Sequence, residues 1–326
     1  MRERNSWELM GILILMLLLG PFGLAQSTDF ENDLTLANSG DTEAQLRVGL
    51  SFNRGLGTTC SYSEAMRWFE AAAEGGSVEA QAWVGSMYLL GHGVAEDWNR
   101  AYEIESRLAE KNATAATFLG LMYLTGHGAN KDATKAANLF RQAQNAGDAK
   151  AMDLLGVAYQ RGEGVPQDAT IAEYFYQRAA ARGDDWAEMH LGDLYLRGVL
   201  GKPDYAAALD NFTKSAQQGN FAAQQRLGRM YENGKGVTKD YGRALELYQL
   251  SARSSYATAE LSLSEVYEHG HGVPKDLTAA YAWTLRAEQH GDATAQARLG
   301  KLGALLSDDQ IERAKVMARR LTSSQN

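Results

Sequence analysis

One short unit, Leu/Val-Gly-x-x-Tyr/Phe, returns along most of this chain at an almost constant interval. Consecutive copies lie 36 residues apart, with a single interval of 35 residues. The central glycine, or the serine that replaces it once, occupies positions Gly49, Gly85, Gly120, Gly156, Gly192, Gly228, Ser264 and Gly300. A fixed period of this length is typical of solenoid proteins, in which each repeat packs on its neighbours. The period therefore predicts one elongated repeat array.

Residues 148–183 show what one period encodes. Asp148 and Asp168 each precede a run with helical apolar spacing, as helix N-caps do. The sequence Gly-Glu-Gly-Val-Pro, which starts at Gly162, separates the two runs because glycine permits positive φ and proline ends a helix. Gly183 is placed to end the second helix as a left-handed C-cap. One period thus predicts a helix–loop–helix unit.

The other repeats have suitable residues at the same positions. The second-helix cap is Ser or Asp throughout, and the left-handed terminator is Gly except at Asn112 and Ser255. A glycine in the middle of a helix lowers helix propensity by roughly 1 kcal/mol relative to alanine. Its recurrence predicts that a neighbouring helix passes too close for a Cβ atom. We assign this structural role to Gly49, Gly85, Gly120, Gly156, Gly192, Gly228 and Gly300.

The repeat boundaries predict an all-α fold, a right-handed α-solenoid of about seven helix–loop–helix repeats with terminal capping helices. The expected repeats are 41–76, 77–112, 113–147, 148–183, 184–219, 220–255 and 256–291. Residues 26–40 form an N-terminal cap segment, and residues 292–326 form C-terminal capping helices, the last opened by a capping box at Ser307. We expect no second domain.

Residues 1–25 have the features of a cleaved secretory signal. Two arginines precede an apolar run from Met10 to Leu19, and small residues precede a cut after Ala25. The alternative is a retained membrane anchor, but this run is shorter than the ~20 residues of a spanning helix. We expect a mature chain that begins at Gln26, is not membrane-embedded and is periplasmic, or else secreted. The formal net charge of −8 argues against a nucleic-acid partner.

A longer consensus runs through the repeats: Ala-x-x-x-Leu/Val-Gly-x-x-Tyr-x-x-Gly-x-Gly-Val-x-x-Asp-x-x-x-Ala. It occurs at Ala80–Ala101, Ala151–Ala172 and Ala223–Ala244. This consensus resembles the Sel-one-like repeat family, a relative of the tetratricopeptide repeats. The resemblance implies a non-catalytic scaffold or adaptor for protein partners, without a cofactor. Exported bacterial members act in envelope regulation, polysaccharide export or host contact. A cysteine-rich branch is linked to penicillin binding, but this chain has one cysteine and lacks its cysteine pairs.

Two motifs suggest chemistry and are better explained by the repeat. Gly-His-Gly occurs at His92, His127 and His271, but Glu163 and Lys235 stand at the same position in other repeats, so no metal site is expected. The Gly-x-Gly loop joins two helices, whereas phosphate-binding loops follow a strand. We therefore expect no cofactor, no metal and no catalytic residue.

The first helices carry a variable flank outside the core stripe. Its positions lie two residues before, one after and five after the mid-helix glycine, and they change from apolar to charged along the chain. The candidate partner-binding residues on this flank are Trp83, Leu90, Phe118, Leu121, Leu154, Val157, His190, Arg197, Arg226 and Arg229. Packing on neighbouring repeats is the alternative. If the flank binds a partner, Trp83→Ala with Phe118→Ala should impair capture and leave folding largely intact.

Two other functions stay open. An envelope enzyme acting on peptidoglycan or a β-lactam would need a pocket with convergent acid and base groups, which the sequence does not show. A polysaccharide-export or glycan-binding scaffold would need a row of exposed aromatic residues. The residues that fit this description follow the second-helix caps: Tyr62, Trp98, Tyr205 and Tyr241.

Overall fold

The structure of this protein is a computed structural model that describes residues 30–323. Across these residues it contains seventeen α-helices and no strand, arranged as helix–loop–helix repeats. The prediction of an all-α repeat fold with seven repeats is therefore confirmed. The predicted signal segment at residues 1–25 lies outside the described residues.

Each repeat contributes a first and a second helix. The first helices are α2 (Thr42–Arg54), α4 (Val78–Leu90), α6 (Ala113–Thr125), α8 (Ala149–Arg161), α10 (Asp185–Arg197), α12 (Phe221–Asn233) and α14 (Ala257–His269). The second helices are α3 (Tyr62–Glu74), α5 (Trp98–Leu108), α7 (Ala133–Asn145), α9 (Ala169–Ala180), α11 (Tyr205–Gln217), α13 (Tyr241–Ala252) and α15 (Leu277–Gln289). The terminal helices are α1 (Phe30–Asn38), α16 (Ala295–Gly303) and α17 (Asp308–Ser323). Within the described part of the chain, no helix combines the length and apolar character needed to span a bilayer.

The helix starts are fixed by local hydrogen bonds that the sequence predicts. The Asp148 carboxylate accepts a hydrogen bond from the Ala151 amide at 2.7 Å, at the start of α8. At the start of α17, the Ser307 amide donates to Gln310 Oε1 at 2.9 Å, and the Gln310 amide donates to Ser307 Oγ at 3.4 Å. These bonds satisfy amide groups that have no partner in the first turn of a helix. The predicted capping box is therefore formed.

Asn112 does not end a helix, and this part of the prediction is wrong. Its φ is −132°, and its side chain accepts a hydrogen bond from the Ala115 amide at 2.8 Å, at the start of α6. With Asn112 as the N-cap of α6, repeat two spans residues 77–111 and is one residue shorter than the others, and the residue it lacks is the left-handed terminator. Asn112 therefore holds the N-cap position that Asp148 holds in repeat four. Ser255 does adopt the predicted left-handed conformation, with φ of 54°.

The mid-helix glycine makes room for a side chain from the second helix of the same repeat. A methyl group on Gly49 would lie 2.6 Å from the Phe69 ring, and one on Gly228 would lie 2.7 Å from the Tyr248 ring. The same pairing, with the ring twenty residues after the glycine, joins Gly120 to Phe140, Gly156 to Tyr176 and Gly192 to Phe212. The predicted close neighbour is present at these positions, and it is an aromatic ring.

Two repeats lack the ring. In repeat two the residue opposite Gly85 is Glu105, whose side chain is fully buried. Neither carboxylate oxygen of Glu105 has a hydrogen-bond partner within residues 30–323. Burial raises the pKa of Glu105 well above its usual range, since water no longer solvates the charged form. In repeat seven, Ser264 and Thr284 occupy the two positions, and their hydroxyl oxygens are 2.8 Å apart.

Gly300 does not have the close neighbour that its place in the repeat predicts. A methyl group on Gly300 would meet no atom of the described residues within 4 Å. The reason is that α16 is not followed by a second helix of the usual kind, since α17 packs against α15. The sequence repeat therefore extends one helix further than the packing that explains its glycine.

Contacts between Cα atoms group the chain into two compact units. Unit 1 ends at Ala187 and unit 2 begins at Glu188, inside α10. Within a unit, helices that follow each other along the chain pack together, and a first helix also contacts the first helix of the next repeat, as α4 does with α6 and α12 with α14. First helices are therefore neighbours within each unit, and each unit has a cavity on them.

Candidate functional site

The first helices of unit 1 surround a cavity of about 470 Å³, which we call the apolar cavity. Its walls include Leu46 and Leu50 of α2, Trp83 of α4 and Phe118 of α6. Both leucines are partly exposed. A cavity of this volume with mainly apolar walls is typical of a ligand or partner site.

Charged side chains also line the apolar cavity. Glu79, Lys150 and Arg182 are among them, and the Glu79 carboxylate accepts a hydrogen bond from Thr114 Oγ1 at 3.0 Å. Burial lowers the pKa of Lys150 to about 8, an effect that the nearby Asp184 carboxylate opposes. The ammonium group of Lys150 therefore loses its charge only slightly above neutral pH. The cavity combines an apolar wall with a pH-dependent positive charge.

Trp83 and Phe118, two residues of the predicted flank, line this cavity but are almost covered by protein. Their exposed fractions are 3% and 2%. The Trp83 ring stacks on Phe69 with centroids 5.6 Å apart, and the Phe118 ring meets it edge-on at 6.1 Å. Truncating a buried aromatic side chain to alanine costs about 3–5 kcal/mol. The double alanine variant is therefore expected to lose stability, contrary to the expectation from sequence.

The remaining apolar residues of the flank do not line the cavity. Leu121, Leu154 and Val157 are buried, with exposed fractions of 4%, 3% and 4%. Leu90, at the end of α4, is partly exposed. Packing within the repeat array accounts for the three buried residues, and we leave all four out of the proposed site.

Several residues of the apolar cavity were missed by the reasoning from sequence. Leu50 directly follows Gly49, so it is the repeat-one counterpart of Leu121, and extending the flank to repeat one would have found it. Glu79 and Lys150 each lie six residues before a mid-helix glycine, a position that the predicted flank did not include. The signal for them is a charged residue near the start of two first helices, which by itself is common in soluble helices.

The charged half of the flank comes together in unit 2. A cavity of about 690 Å³, which we call the charged cavity, is lined by residues of α10, α12 and α14 and by the loops that follow α12 and α14. The flank residues in its lining are Asp193, Arg197, Arg226, Arg229, Asn233, Glu265 and His269. His190 is partly exposed and stands outside this lining.

Ion pairs connect neighbouring first helices across the charged cavity. Arg226 Nε donates to Asp193 Oδ1 at 3.0 Å, which joins α12 to α10. Arg229 Nη2 lies 3.7 Å from Glu265 Oε2, which joins α12 to α14. The Arg229 side chain is 52% exposed, so solvent screens this second pair. The flank that is mostly apolar and buried in unit 1 thus carries ion pairs in unit 2, and Arg229 on it is exposed to solvent.

The loop histidines pack on the aromatic residues that follow the second-helix caps. The pairs, with the distance between ring centroids, are His92 with Tyr62 (3.9 Å), His127 with Trp98 (4.3 Å) and His271 with Tyr241 (4.6 Å). In each pair the histidine belongs to the repeat after that of its aromatic partner, so these rings pack between repeats. Across residues 30–323, no three His, Cys, Asp or Glu side chains are grouped as metal ligands would be.

Tandem helix–loop–helix units with cavities on their first helices define the class of the protein, a helical repeat scaffold. Comparison with known families shows which family of helical repeats the chain belongs to. The Sel1 repeat model matches residues 42–77, 78–104, 113–148, 149–184, 187–220, 221–256 and 255–292. The chain belongs to the Sel1 repeat family, whose members generally mediate protein–protein interactions.

Solved structures of bacterial relatives share this fold. A Sel1 repeat protein from Oxalobacter formigenes is 30% identical, with a TM-score of 0.61, and the match covers 80% of this chain and 99% of that one. A protective antigen of uropathogenic Escherichia coli with an SLR fold is 29% identical, with a TM-score of 0.51, and the match covers 91% of this chain and 72% of the antigen. A search of curated proteins gave no match.

Proposed function

We propose that this chain is an exported, non-catalytic adaptor that holds a protein partner in the apolar cavity of unit 1. The observation that supports this proposal is the exposed apolar wall that Leu46 and Leu50 form beside Trp83 and Phe118. Soluble proteins rarely leave a contiguous apolar surface in water unless it binds something. The general role of Sel1 repeat proteins in protein–protein interactions favours a protein over a small molecule.

The lining of the cavity suits a partner segment with a large apolar side chain beside polar groups. Burying a leucine- or phenylalanine-sized side chain contributes about 1.5–3 kcal/mol. Lys150 and Arg182 line the cavity together with the carboxylates of Glu79 and Asp148, so charged groups of both signs surround the apolar wall. An interaction built on one such anchor is weak and reversible, as suits an adaptor that exchanges partners.

A charge placed in the wall tests this site. Leu50→Glu puts a carboxylate into the cavity at a partly exposed position, so the fold is expected to survive. Ile171→Glu is the matched control, because Ile171 is 37% exposed on α9 and does not line the cavity. A photo-crosslinking side chain at Leu46 should capture a partner in cells, and Leu50→Glu but not Ile171→Glu should abolish that capture. Equal capture by both variants would exclude this cavity as the binding site.

Export rests on residues 1–25, and sequencing the mature N-terminus tests it. A first residue of Gln26 supports cleavage, whereas a chain that still begins at Met1 contradicts it. The non-catalytic part of the proposal has its own test. Hydrolysis of peptidoglycan or of a β-lactam by the purified protein would show that the chain is an enzyme.

A further inference from the structure

The charged cavity of unit 2 has an excess of positive charge in an acidic protein. Five cationic side chains line it against three carboxylates, whereas the whole chain has a formal net charge of −8. The cations are Arg197, Arg226, Arg229, Lys235 and Lys239. A concave surface of one sign concentrates ligands of the opposite sign. The local reversal of sign therefore indicates an anionic ligand.

The three carboxylates of this cavity are already engaged by the protein. Asp193 pairs with Arg226 at 3.0 Å, and Glu265 lies 3.7 Å from Arg229. Glu232 accepts hydrogen bonds from the Tyr248 hydroxyl at 2.8 Å and from His271 Nδ1 at 3.1 Å. The acidic groups are thus paired with neighbours from the wall of the cavity or the packing behind it.

Three cations are left for a ligand. Arg197, Lys235 and Lys239 are exposed, and within residues 30–323 none of them forms an ion pair with a carboxylate. Lys239 Nζ lies 4.4 Å from the centroid of the Tyr241 ring, and the His271 ring stacks on the same Tyr241 ring with centroids 4.6 Å apart. The ring contacts hold the loop after α12 against the loop after α14. Part of the site is therefore ordered before a ligand binds, which lowers the entropy cost of binding.

The composition of the wall favours carboxylates spaced along a peptide over a dense polyanion. Nucleic acid carries about one negative charge per 1.7 Å of duplex axis, and the three wall carboxylates would repel such a ligand. A peptide instead offers amide groups that donate to carboxylates, together with acidic side chains that guanidinium groups bind well. Arg226 already pairs with a carboxylate in this cavity. A volume of about 690 Å³ accommodates several residues.

We propose that the charged cavity of unit 2 is a separate binding site for an acidic peptide segment, with Arg197, Lys235 and Lys239 pairing with its carboxylates. This site does not depend on the apolar cavity of unit 1. A chain with both sites would bind an apolar anchor through one unit and an acidic segment through the other. The chain would then make two weak contacts, either with one partner or with two different partners.

The test uses two defined probes and two matched double variants. The probes are acetylated, amidated tetraglutamate and tetraglutamine, titrated into the full chain by calorimetry at low ionic strength. Arg197→Gln with Lys235→Gln removes two positive charges from the cavity. Arg253→Gln with Lys301→Gln removes two positive charges from exposed positions of unit 2 outside it. All four positions are exposed, and thermal melting of each variant checks the fold.

We expect tetraglutamate to bind and tetraglutamine to bind at least about tenfold more weakly. The cavity variant should lose about tenfold in affinity for tetraglutamate, and the control variant should keep it, because only the cavity charges contact the probe. Raising the salt concentration should weaken binding. Leu50→Glu should leave this binding unchanged, which separates the proposal from that for unit 1. Equal binding of the two probes, equal losses in the two double variants, or tighter binding of a short oligonucleotide would each overturn it.

Discussion

First helices line both the apolar cavity of unit 1 and the charged cavity of unit 2, but the flank of these helices has different surroundings in the two units. The position directly after the mid-helix glycine shows the difference. It is Leu121 in repeat three, with an exposed fraction of 4%, and Arg229 in repeat six, with a side chain that is 52% exposed. One position of the repeat is thus part of the core in repeat three of unit 1 and part of the hydrated surface in repeat six of unit 2.

The packing at the mid-helix glycine explains how one fold tolerates both an apolar and a charged flank. Gly120 accepts the Phe140 ring in repeat three, and Gly228 accepts the Tyr248 ring in repeat six. This contact joins the two helices of a repeat without using the flank. Because the flank is not needed for that contact, its residues can change from apolar to charged while the helix pair stays the same. The scaffold and the recognition chemistry therefore reside in different positions of the repeat.

The largest effect that we predict compares Leu121→Ala with Arg229→Ala. Leu121 is buried, so its truncation should lower the free energy of unfolding by about 2–5 kcal/mol. Arg229 is half exposed and its ion pair is screened, so its truncation should change that free energy by only about 0.5 kcal/mol. Urea denaturation followed by circular dichroism measures both. Similar losses for the two variants would mean that the flank has the same role in both units.

The second prediction concerns the ring position, where repeat two of unit 1 has Glu105 and repeat six of unit 2 has Tyr248. Since burial raises the pKa of Glu105, the folded state binds a proton that the unfolded state has released. The stability that Glu105 contributes is fully present at pH values below its pKa in the unfolded chain. It is lost as the pH rises through its pKa in the folded chain. The loss amounts to about 1.4 kcal/mol for each unit by which burial raises the pKa. Glu105→Gln should remove this loss.

The measurement for Glu105 is the free energy of unfolding as a function of pH. The matched control is Glu103→Gln, which changes an exposed carboxylate two residues earlier on α5. The control should follow the pH dependence of the unchanged chain, and Glu105→Gln should become relatively more stable as pH rises. Parallel curves for the two variants would show that Glu105 ionises as freely in the folded chain as in the unfolded one.

The sequence predicts the fold better than the site because the two depend on different information. The fold follows from period, caps and terminators, which act within a few residues of each other, as at Asp148 and Gly183. Asn112 was assigned wrongly because repeat two lacks its terminator residue. Asn112 is therefore the N-cap of α6 and does not end α5. The ring column from Phe69 to Tyr248 was readable in the sequence as a second repeat signal, twenty residues after each glycine.

The binding surfaces depend on burial, which the repeat pattern does not determine. Trp83 and Arg226 occupy equivalent positions, yet Trp83 is 3% exposed and the Arg226 side chain 26%. Of the charged residues predicted on the flank, Arg197, Arg226 and Arg229 line one cavity in unit 2 and His190 does not. Of the predicted apolar residues, only Trp83 and Phe118 line the cavity of unit 1, because apolar residues at these positions pack inward.

The last comparison tests where the packing shared by the repeats ends. Gly228→Ala places a methyl group 2.7 Å from the Tyr248 ring and should lower the free energy of unfolding by about 1–3 kcal/mol. Gly300→Ala adds a methyl group where nothing described lies within 4 Å, so only the gain in helix propensity remains. That gain should raise the free energy of unfolding by roughly 0.5–1 kcal/mol. Thermal and urea melts of the two variants measure both changes. Loss of stability in Gly300→Ala would mean that α16 packs like the first helix of a complete repeat, and that the packing shared by the two units continues to the end of the array.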